Sequence, residues 1–582
     1  MNQGQSKMRF DDAEQIIQKR HSMSEVTPLL YINNESNTSI TARRTSIASY
    51  QSSLKKDKIG DAWHNLFSGL DIDIFDHPLL SLIPSVIIAA IIWGIPPGSD
   101  LTHTSIHVLA VFAGFILALL ISSYEVSALI AIALSVLALT KNLMCKGSDG
   151  ASLECNLCGI IDSCNAYKVT NFKLRYNDLI FFRVASIFTN DVVWLVFCAF
   201  HIGKAVEVSG LGKRIAMHLV AMMGSSTTGL GLSFCFAEFI LAPFIPSNSA
   251  RGGGVVAPIV TSVIQVIEES SNNLTFHDNS INRYLILIAS QANLISSSLF
   301  LTGLAPNPLI SAKAYQVFKV EFGFMQWLTG SFVPGFFTLL VTPFFLFWIV
   351  KPKGYNGEII QNDIKSKLDT LGPVTFKEWK LIIVLMVCLT LWSTESHTGL
   401  NNALIGFLAM VTMILVDILS WEDISKNTKA WDTLFWLSGF IVLAEQLSEL
   451  NISDWLGDKV AKSLISENFS PVQSSIILAL IYFLSMYMFS SATGHIVALV
   501  AAFLEAGVRL DCPPFLLISL LAYFSSLCCC MTTYSTGSLA IYFGQGYVER
   551  KQWFTVGFFM ALFYFSIYFT IGMAWWKLLG WW

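Results

Sequence analysis

The chain has 582 residues and a formal net charge of −4; 54% of its residues are hydrophobic and only 13% are charged. Apolar runs of about 20 residues, the length that spans a bilayer, recur from Leu79 to Trp576. This composition excludes an ordinary soluble protein, and the small net charge gives no reason to expect a nucleic-acid partner. The sequence therefore predicts an all-α polytopic membrane protein.

Residues 1–77 are polar, carry both signs of charge and have no sustained periodicity. Such a segment cannot bury enough apolar surface to fold alone, so we expect a disordered cytosolic tail. Within it, the segment from Glu25 to Leu30 resembles an acidic dileucine sorting signal, which a coat adaptor would bind. Residues 78–104 hold an extra first span.

A polar loop after the third apolar run contains four cysteines, Cys145, Cys155, Cys158 and Cys164. With a cytosolic N-terminus, three spans place this loop outside the cell or in a lumen. Two disulfides suit that oxidising side better than a zinc site of four thiolates, which is the alternative, and the pairing stays open.

Residues 228–266 are apolar except for a central polar piece that contains Ser247, Asn248, Ser249 and three glycines. The apolar arm after this piece has about a dozen residues, too few to span a bilayer. Proline and glycine oppose a continuous helix, and unpaired backbone cannot face lipid. We therefore predict a re-entrant helical hairpin whose tip carries polar groups into the membrane.

Residues 472–506 repeat this arrangement, with Ser491, Ala492 and Thr493 at the second tip. After each hairpin a span breaks, first at Thr302 and Gly303 and later at Thr536. Two interrupted segments in corresponding halves are typical of the binding site of a secondary transporter.

The order of span, flat amphipathic helix, hairpin and broken span occurs twice. It divides the chain into a first repeat at 105–350, a cytosolic linker at 351–378 and a second repeat at 379–582. One extra span and an odd number per repeat predict about 11 transmembrane helices and two hairpins in inverted repeats. Lysines in the linker favour the cytosolic side. Asp191 and Asp432 precede corresponding apolar runs, where we expect them to cap helices.

Helix N-termini carry about half a positive charge and free N–H groups, which suit carboxylates. Two such tips would bind an anion with a carboxylate at each end, although at one tip alone the polar side chains could merely satisfy broken helix ends. Arg251 and His495 follow the two tips. Either could contact or gate the substrate, or make a structural contact.

These residues resemble the divalent anion/sodium symporter family, in the branch of the citrate/succinate antiporters and the plastid 2-oxoglutarate/malate translocator. The likeness rests on residues 246–254, 300–308, 533–537 and 542–547. It implies a homodimer that works as an elevator, in which hairpins and broken spans move against a scaffold. It implies substrate binding by Ser247, Asn248, Ser249, Ser491, Ala492 and Thr493, with Thr302 and Thr536 as further candidates, and sodium, where used, at Ser247, Asn248 and Gly303.

Two positions depart from the family pattern: Ser249 replaces the usual threonine, and Ala492 replaces an asparagine. The second change removes an oxygen that a cation could use, so the sequence favours exchange of di- or tricarboxylates such as 2-oxoglutarate, malate or succinate. The alternative is sodium-coupled symport of dicarboxylate, citrate or sulfate; a receptor or channel is more remote.

No catalytic motif is present, so an enzyme is not expected, and no cofactor is expected, with sodium as the alternative. The expected location is the plasma membrane or an endosomal or vacuolar membrane in a eukaryote, and the inner membrane in a bacterium.

Overall fold

The structure is a computed structural model and describes residues 79–98, 100–122, 124–146, 152–154, 190–271, 279–353, 357–394, 398–465 and 469–582. The predicted tail and its adaptor signal lie outside these residues. Cys155, Cys158 and Cys164 also lie outside them, and of Cys145 only the backbone is described. The sorting and disulfide hypotheses therefore stay predictions.

The described chain is helical almost throughout, as predicted, apart from one short antiparallel pair, β1 (Met144–Lys146) with β2 (Ser152–Glu154). The helices of the first half are α1 (Ile83–Trp93), α2 (His103–Ile121), α3 (Val126–Leu139), α4 (Asp191–Ser209), α5 (Leu211–Met223), α6 (Thr227–Leu241), α7 (Ala257–Ser271), α8 (Ser280–Leu299), α9 (Asn307–Phe318) and α10 (Phe324–Val350).

The helices of the linker and second half are α11 (Gly357–Leu371), α12 (Phe376–Ser393), α13 (Asn402–Leu415), α14 (Trp421–Ser425), α15 (Thr428–Glu449), α16 (Ile452–Ile465), α17 (Pro471–Ser485), α18 (Ala492–Arg509), α19 (Pro514–Leu527), α20 (Gly537–Gly544), α21 (Arg550–Ile567) and α22 (Met573–Leu578). Helices α4 to α10 and helices α15 to α21 succeed one another in the same order, and α22 continues α21 through a π-helical turn, Tyr568–Gly572. The division into inverted repeats stays a prediction.

Many of these helices are apolar. Within the described ranges, 7 helices are long and apolar enough to cross a membrane, judged by length and composition, and shorter apolar helices of 10–17 residues include α1, α3, α6 and α13. Several predicted spans are built from two helices in series, as α8 with α9 and α19 with α20. A polytopic membrane protein is the architecture that this pattern specifies.

The first hairpin breaks earlier than its glycines. Helix α6 ends at Leu241, and Gly252, Gly253 and Gly254 lie inside a π-helical turn, Ser249–Val256, that continues into α7. A β-carbon on Gly252 would come within 2.8 Å of the side-chain nitrogen of Asn293. Contrary to the prediction, the glycines do not interrupt the helix. The missing side chains of Gly252 and Gly253 allow neighbouring helices to approach closely, whereas a β-carbon on Gly254 would have no atom within 4 Å.

The predicted aspartate caps differ in position. Asn190 is the N-cap of α4, and the Val192 N–H is shared by Asn190 Oδ1 and Asp191 Oδ1, each at 2.9 Å, so Asp191 does accept at this helix start but from the first helical position. Helix α15 begins at Thr428, so Asp432 lies one turn within it and accepts a hydrogen bond from Ser127.

Buried apolar side chains form two clusters. The larger one joins the hairpins, α8, α10, α19 and α21, together with faces of α12 and α13. The smaller one joins α2, α3, α4 and α15, and it also includes Leu309 of α9 and Val497 of α18. The helices that follow the first break and the second tip therefore contact both clusters.

Candidate functional site

The first tip ends in a buried amide with an unused donor. The Ser247 hydroxyl oxygen accepts from the Ala250 N–H at 3.2 Å, and the Ser249 hydroxyl donates to Asn248 Oδ1 at 3.4 Å. Asn248 is 7% exposed, and among the described residues its Nδ2 has no hydrogen-bond partner. An unsatisfied buried donor costs free energy, so Nδ2 is suited to an incoming acceptor.

Arg251 fastens this tip to the first break. Its Nε lies 2.6 Å from Glu238 Oε2, and both side chains are fully buried. Its Nη1 donates to the backbone oxygens of Ile245 at 2.7 Å and Gly303 at 3.1 Å, and its Nη2 donates to the Ser297 hydroxyl at 2.6 Å. All three guanidinium nitrogens are thus engaged by the protein, which is the structural alternative that the sequence left open for Arg251.

A second contact joins the same two segments, because the Thr302 hydroxyl donates to the Pro243 oxygen at 2.8 Å. Thr302 is therefore buried against the tip at 3% exposure. The Gly303 oxygen, a predicted sodium ligand, already accepts from Arg251.

Asn293 of α8 is a buried residue that the sequence analysis missed. Its Nδ2 donates to Glu238 Oε2 at 3.0 Å and to the backbone oxygen of Asn248 at 3.1 Å. Its Oδ1 accepts from the Ser538 hydroxyl at 2.7 Å. One side chain thus connects the first tip, the buried ion pair and the second break. The signal that could have found it is an amide inside the apolar run of α8, where polar groups need partners.

Both tips contact the second break. The Ser535 oxygen accepts from the Ala492 N–H at 2.9 Å, which brings the second tip to this break. A β-carbon placed on Gly537 would lie 2.5 Å from the Ser249 hydroxyl oxygen, so the first tip is equally close. Thr536 lies between these two contacts and caps α20, accepting from the Leu539 N–H at 3.3 Å. Residues 247–249 and 491–493 therefore converge on residues 535–537.

At the second tip, Ser491 caps α18 by accepting from the Gly494 N–H at 3.5 Å, and Thr493 is partly buried. His495 is fully buried, with Nε2 lying 2.8 Å from the Ser485 hydroxyl and 3.0 Å from the Tyr482 oxygen. His495 thus holds the two arms of the hairpin, α17 and α18, together.

At the N-terminus of α18 the Ala492 N–H donates to the Ser535 oxygen and the Gly494 N–H donates to the Ser491 hydroxyl. The second tip therefore offers an anion the positive end of the helix dipole and the Ser491 and Thr493 hydroxyls. The first tip supplies the Asn248 amide and the Ser247 hydroxyl. These are neutral donors, and donors of this kind bind carboxylates without requiring an additional buried charge.

The chain matches the family model described as "Sodium:sulfate symporter transmembrane region" over residues 77–582. It is 32% identical to the putative malate transporter YflS of Bacillus subtilis over 504 residues, which cover 87% of this chain and 97% of that protein. It is 30% identical to the chloroplast dicarboxylate transporter 1 of spinach (86% and 81% covered) and 31% identical to the citrate/succinate antiporter of Escherichia coli (68% and 80% covered).

Among solved structures, the Alcanivorax borkumensis YdaH transporter matches with a TM-score of 0.40 at 12% identity and covers 82% of this chain, a likeness too distant to argue from. The family model spans nearly the whole membrane region, and the relatives resemble the chain over most of their lengths. The protein is a multi-pass membrane transporter and belongs to the divalent anion/sodium symporter family.

Proposed function

We propose that the protein is a secondary active transporter that exchanges dicarboxylates across its membrane. The observation that carries the proposal is the convergence of both tips on residues 535–537, through Ala492 on one side and Ser249 on the other. The printed names of relatives from Bacillus, spinach and Escherichia support small organic di- and tricarboxylates as the substrate class.

In this proposal each tip binds one carboxylate. The first carboxylate accepts from Asn248 Nδ2, which has no partner among the described residues, and from the Ser247 hydroxyl. The second lies at the N-terminus of α18, where the Ser491 and Thr493 hydroxyls donate and the helix dipole favours a negative charge. Ala492 offers no donor, because it has no polar side chain and its N–H already donates to the Ser535 oxygen.

Exchange is favoured over sodium symport by what occupies the first break. A sodium ion at Ser247, Asn248 and Gly303 would need the Gly303 oxygen as a ligand, but that oxygen accepts from Arg251 at 3.1 Å. This hydrogen bond uses one of the two lone pairs of the Gly303 oxygen, which leaves it less able to bind a cation. At the second tip, Ala492 lacks the side-chain oxygen that an asparagine would offer. Sodium-coupled uptake remains the second candidate, because the family model is named for sodium symporters.

We further propose an elevator movement in a homodimer. The hairpins with α8, α9, α19 and α20, whose buried apolar side chains lie mainly in the larger cluster, would move against a scaffold that includes α2, α3 and α15 of the smaller cluster and α4, which contributes to both. The predicted inverted repeats at 105–350 and 379–582 would then give the two membrane sides equivalent access.

The test is a flux assay in vesicles that contain the purified protein. Labelled malate should enter rapidly when the vesicles contain unlabelled malate or succinate, and only slowly when they are empty, with or without a sodium gradient. Uptake into empty vesicles that requires external sodium would instead establish symport. Absence of dicarboxylate flux under every condition would refute the proposed substrate class.

A further inference from the structure

The direction of each hydrogen bond around Asn293 is determined by its partners. Nδ2 faces two groups that can only accept, the Glu238 carboxylate and the Asn248 carbonyl oxygen. The reverse orientation would point a carbonyl oxygen at both of them. Oδ1 must therefore face Ser538, and since an amide oxygen cannot donate, the single hydroxyl hydrogen of Ser538 points to Asn293.

This fixes the hydroxyl of Thr536 in turn. The Thr536 and Ser538 hydroxyl oxygens lie 3.0 Å apart, and Ser538 has already used its only hydrogen. Thr536 is therefore the donor in this pair. One of its two lone pairs accepts from the Leu539 N–H at 3.3 Å. What remains on the Thr536 oxygen is one lone pair and no hydrogen.

A lone pair without a hydrogen is a poor neighbour for a carboxylate, which is itself only an acceptor. It suits the O–H of an alcohol. Thr536 lies where both tips converge, beside the groups that would bind the carboxylates. Resting on the proposed function, we infer that Thr536 recognises a hydroxyl group on the substrate, so that this transporter prefers a hydroxy-dicarboxylate over the same dicarboxylate without the hydroxyl.

Malate and succinate differ by one hydroxyl and provide the direct test. We expect the better-bound malate enantiomer to have an apparent KM about fivefold to tenfold below that of succinate in the exchange assay, the effect of one hydrogen bond. Thr536→Val keeps the shape but removes the lone pair, and should bring the two KM values together. Ser538→Ala frees the Thr536 hydrogen to donate and should reduce the ratio.

Ser526→Ala is the matched control. It removes a buried hydroxyl that donates to the Leu294 oxygen at 2.8 Å, away from the second break. This variant should keep the wild-type ratio of malate to succinate. The series should be repeated with choline in place of sodium. If the Thr536 oxygen bound a sodium ion and not a substrate hydroxyl, the ratio of the malate and succinate KM values would depend on which cation is present.

Equal KM values for malate and succinate in the wild-type protein would overturn the inference, and this measurement needs no variant. Persistence of the preference in Thr536→Val, or its loss in choline buffer, would also overturn it. Each of these results leaves dicarboxylate exchange itself intact. Failure of the proposed function would appear differently, as no exchange of either substrate.

Discussion

Removal of the Arg251 side chain should weaken the attachment of the first tip to the first break, leaving the Thr302 hydroxyl to hold the two segments together. Arg251→Met leaves the Glu238 carboxylate buried without its cation and leaves the oxygens of Ile245 and Gly303 without donors. Breaking one side of a buried ion pair costs about 3–5 kcal/mol. We expect a loss of at least this order in the free energy of unfolding, because the orphaned carbonyl oxygens add to it.

The double variant Arg251→Met, Glu238→Gln shows how much of this loss in the free energy of unfolding comes from the interaction between the two side chains. With both charges removed, Asn293 can still donate to the glutamine oxygen, so the two losses should not add. A coupling energy of about 2–3 kcal/mol is expected from the cycle of single and double variants. The free energy can be followed by titrating the detergent-solubilised protein with a denaturing detergent.

A second buried pair provides the control. Arg214 Nε lies 2.8 Å from Glu378 Oε1, and their side chains are only 7% and 3% exposed. Arg214→Met should also destabilise the protein, but it should leave the apparent KM for malate unchanged because the pair joins α5 to α12 outside the site. Arg251→Met should raise that KM. Additive losses in the cycle, or an unaltered KM in Arg251→Met, would refute the reasoning.

Three further predictions concern the tips. Ser247→Ala and Thr493→Ala should each raise the KM for malate about fivefold or more by removing a carboxylate donor; unchanged exchange in both would remove these residues from the site. Gly537→Ala should weaken exchange strongly, since its β-carbon meets a serine hydroxyl at 2.5 Å, whereas Gly254→Ala, with no atom within 4 Å, should be tolerated; equal effects would contradict the packing. Ala492→Asn should increase stimulation of malate uptake by sodium, and a rate indifferent to sodium would show that this side chain does not control coupling.

The sequence was sufficient to predict the order of elements because each signal was local. Polar residues around Ser247 and Ser491, with Pro246 at the first tip, conflict with a continuous spanning helix, and no distant residue is needed to see this. The predicted length of the first outgoing arm was wrong, because Ser249–Glu269 is long and apolar enough to cross a membrane by length and composition. The breaks near Thr302 and Thr536 are local in the same sense. Their repetition in the same order then indicated one site formed by two hairpins.

The partners of these residues could not be predicted in this way. Arg251 donates hydrogen bonds to Glu238 in the same hairpin and to the backbone oxygen of Gly303 at the first break. Asn293 accepts a hydrogen bond from Ser538, which lies in the other half of the chain. Nothing in the spacing of these residues specifies which helices pack together. The placement of Gly252 was misjudged for the same reason: a glycine that breaks a helix and one that admits a neighbouring helix have the same sequence pattern.

The buried pair of Arg251 and Glu238 has no net charge, and this favours exchange over one-way transport of a dianion at this site. Glu238 neutralises Arg251 at 2.6 Å, so this pair brings no net positive charge to the tip, and the substrate carboxylates must be stabilised by neutral donors and helix termini. A tip of this kind carries the full charge of a dianion when it is loaded. Each charge that crosses the membrane changes the energy by about 2.3 kcal/mol per 100 mV, so one-way movement of a dianion would depend steeply on the potential. Exchange of one dianion for another moves no net charge, and it needs no dissociable cation to compensate the substrate.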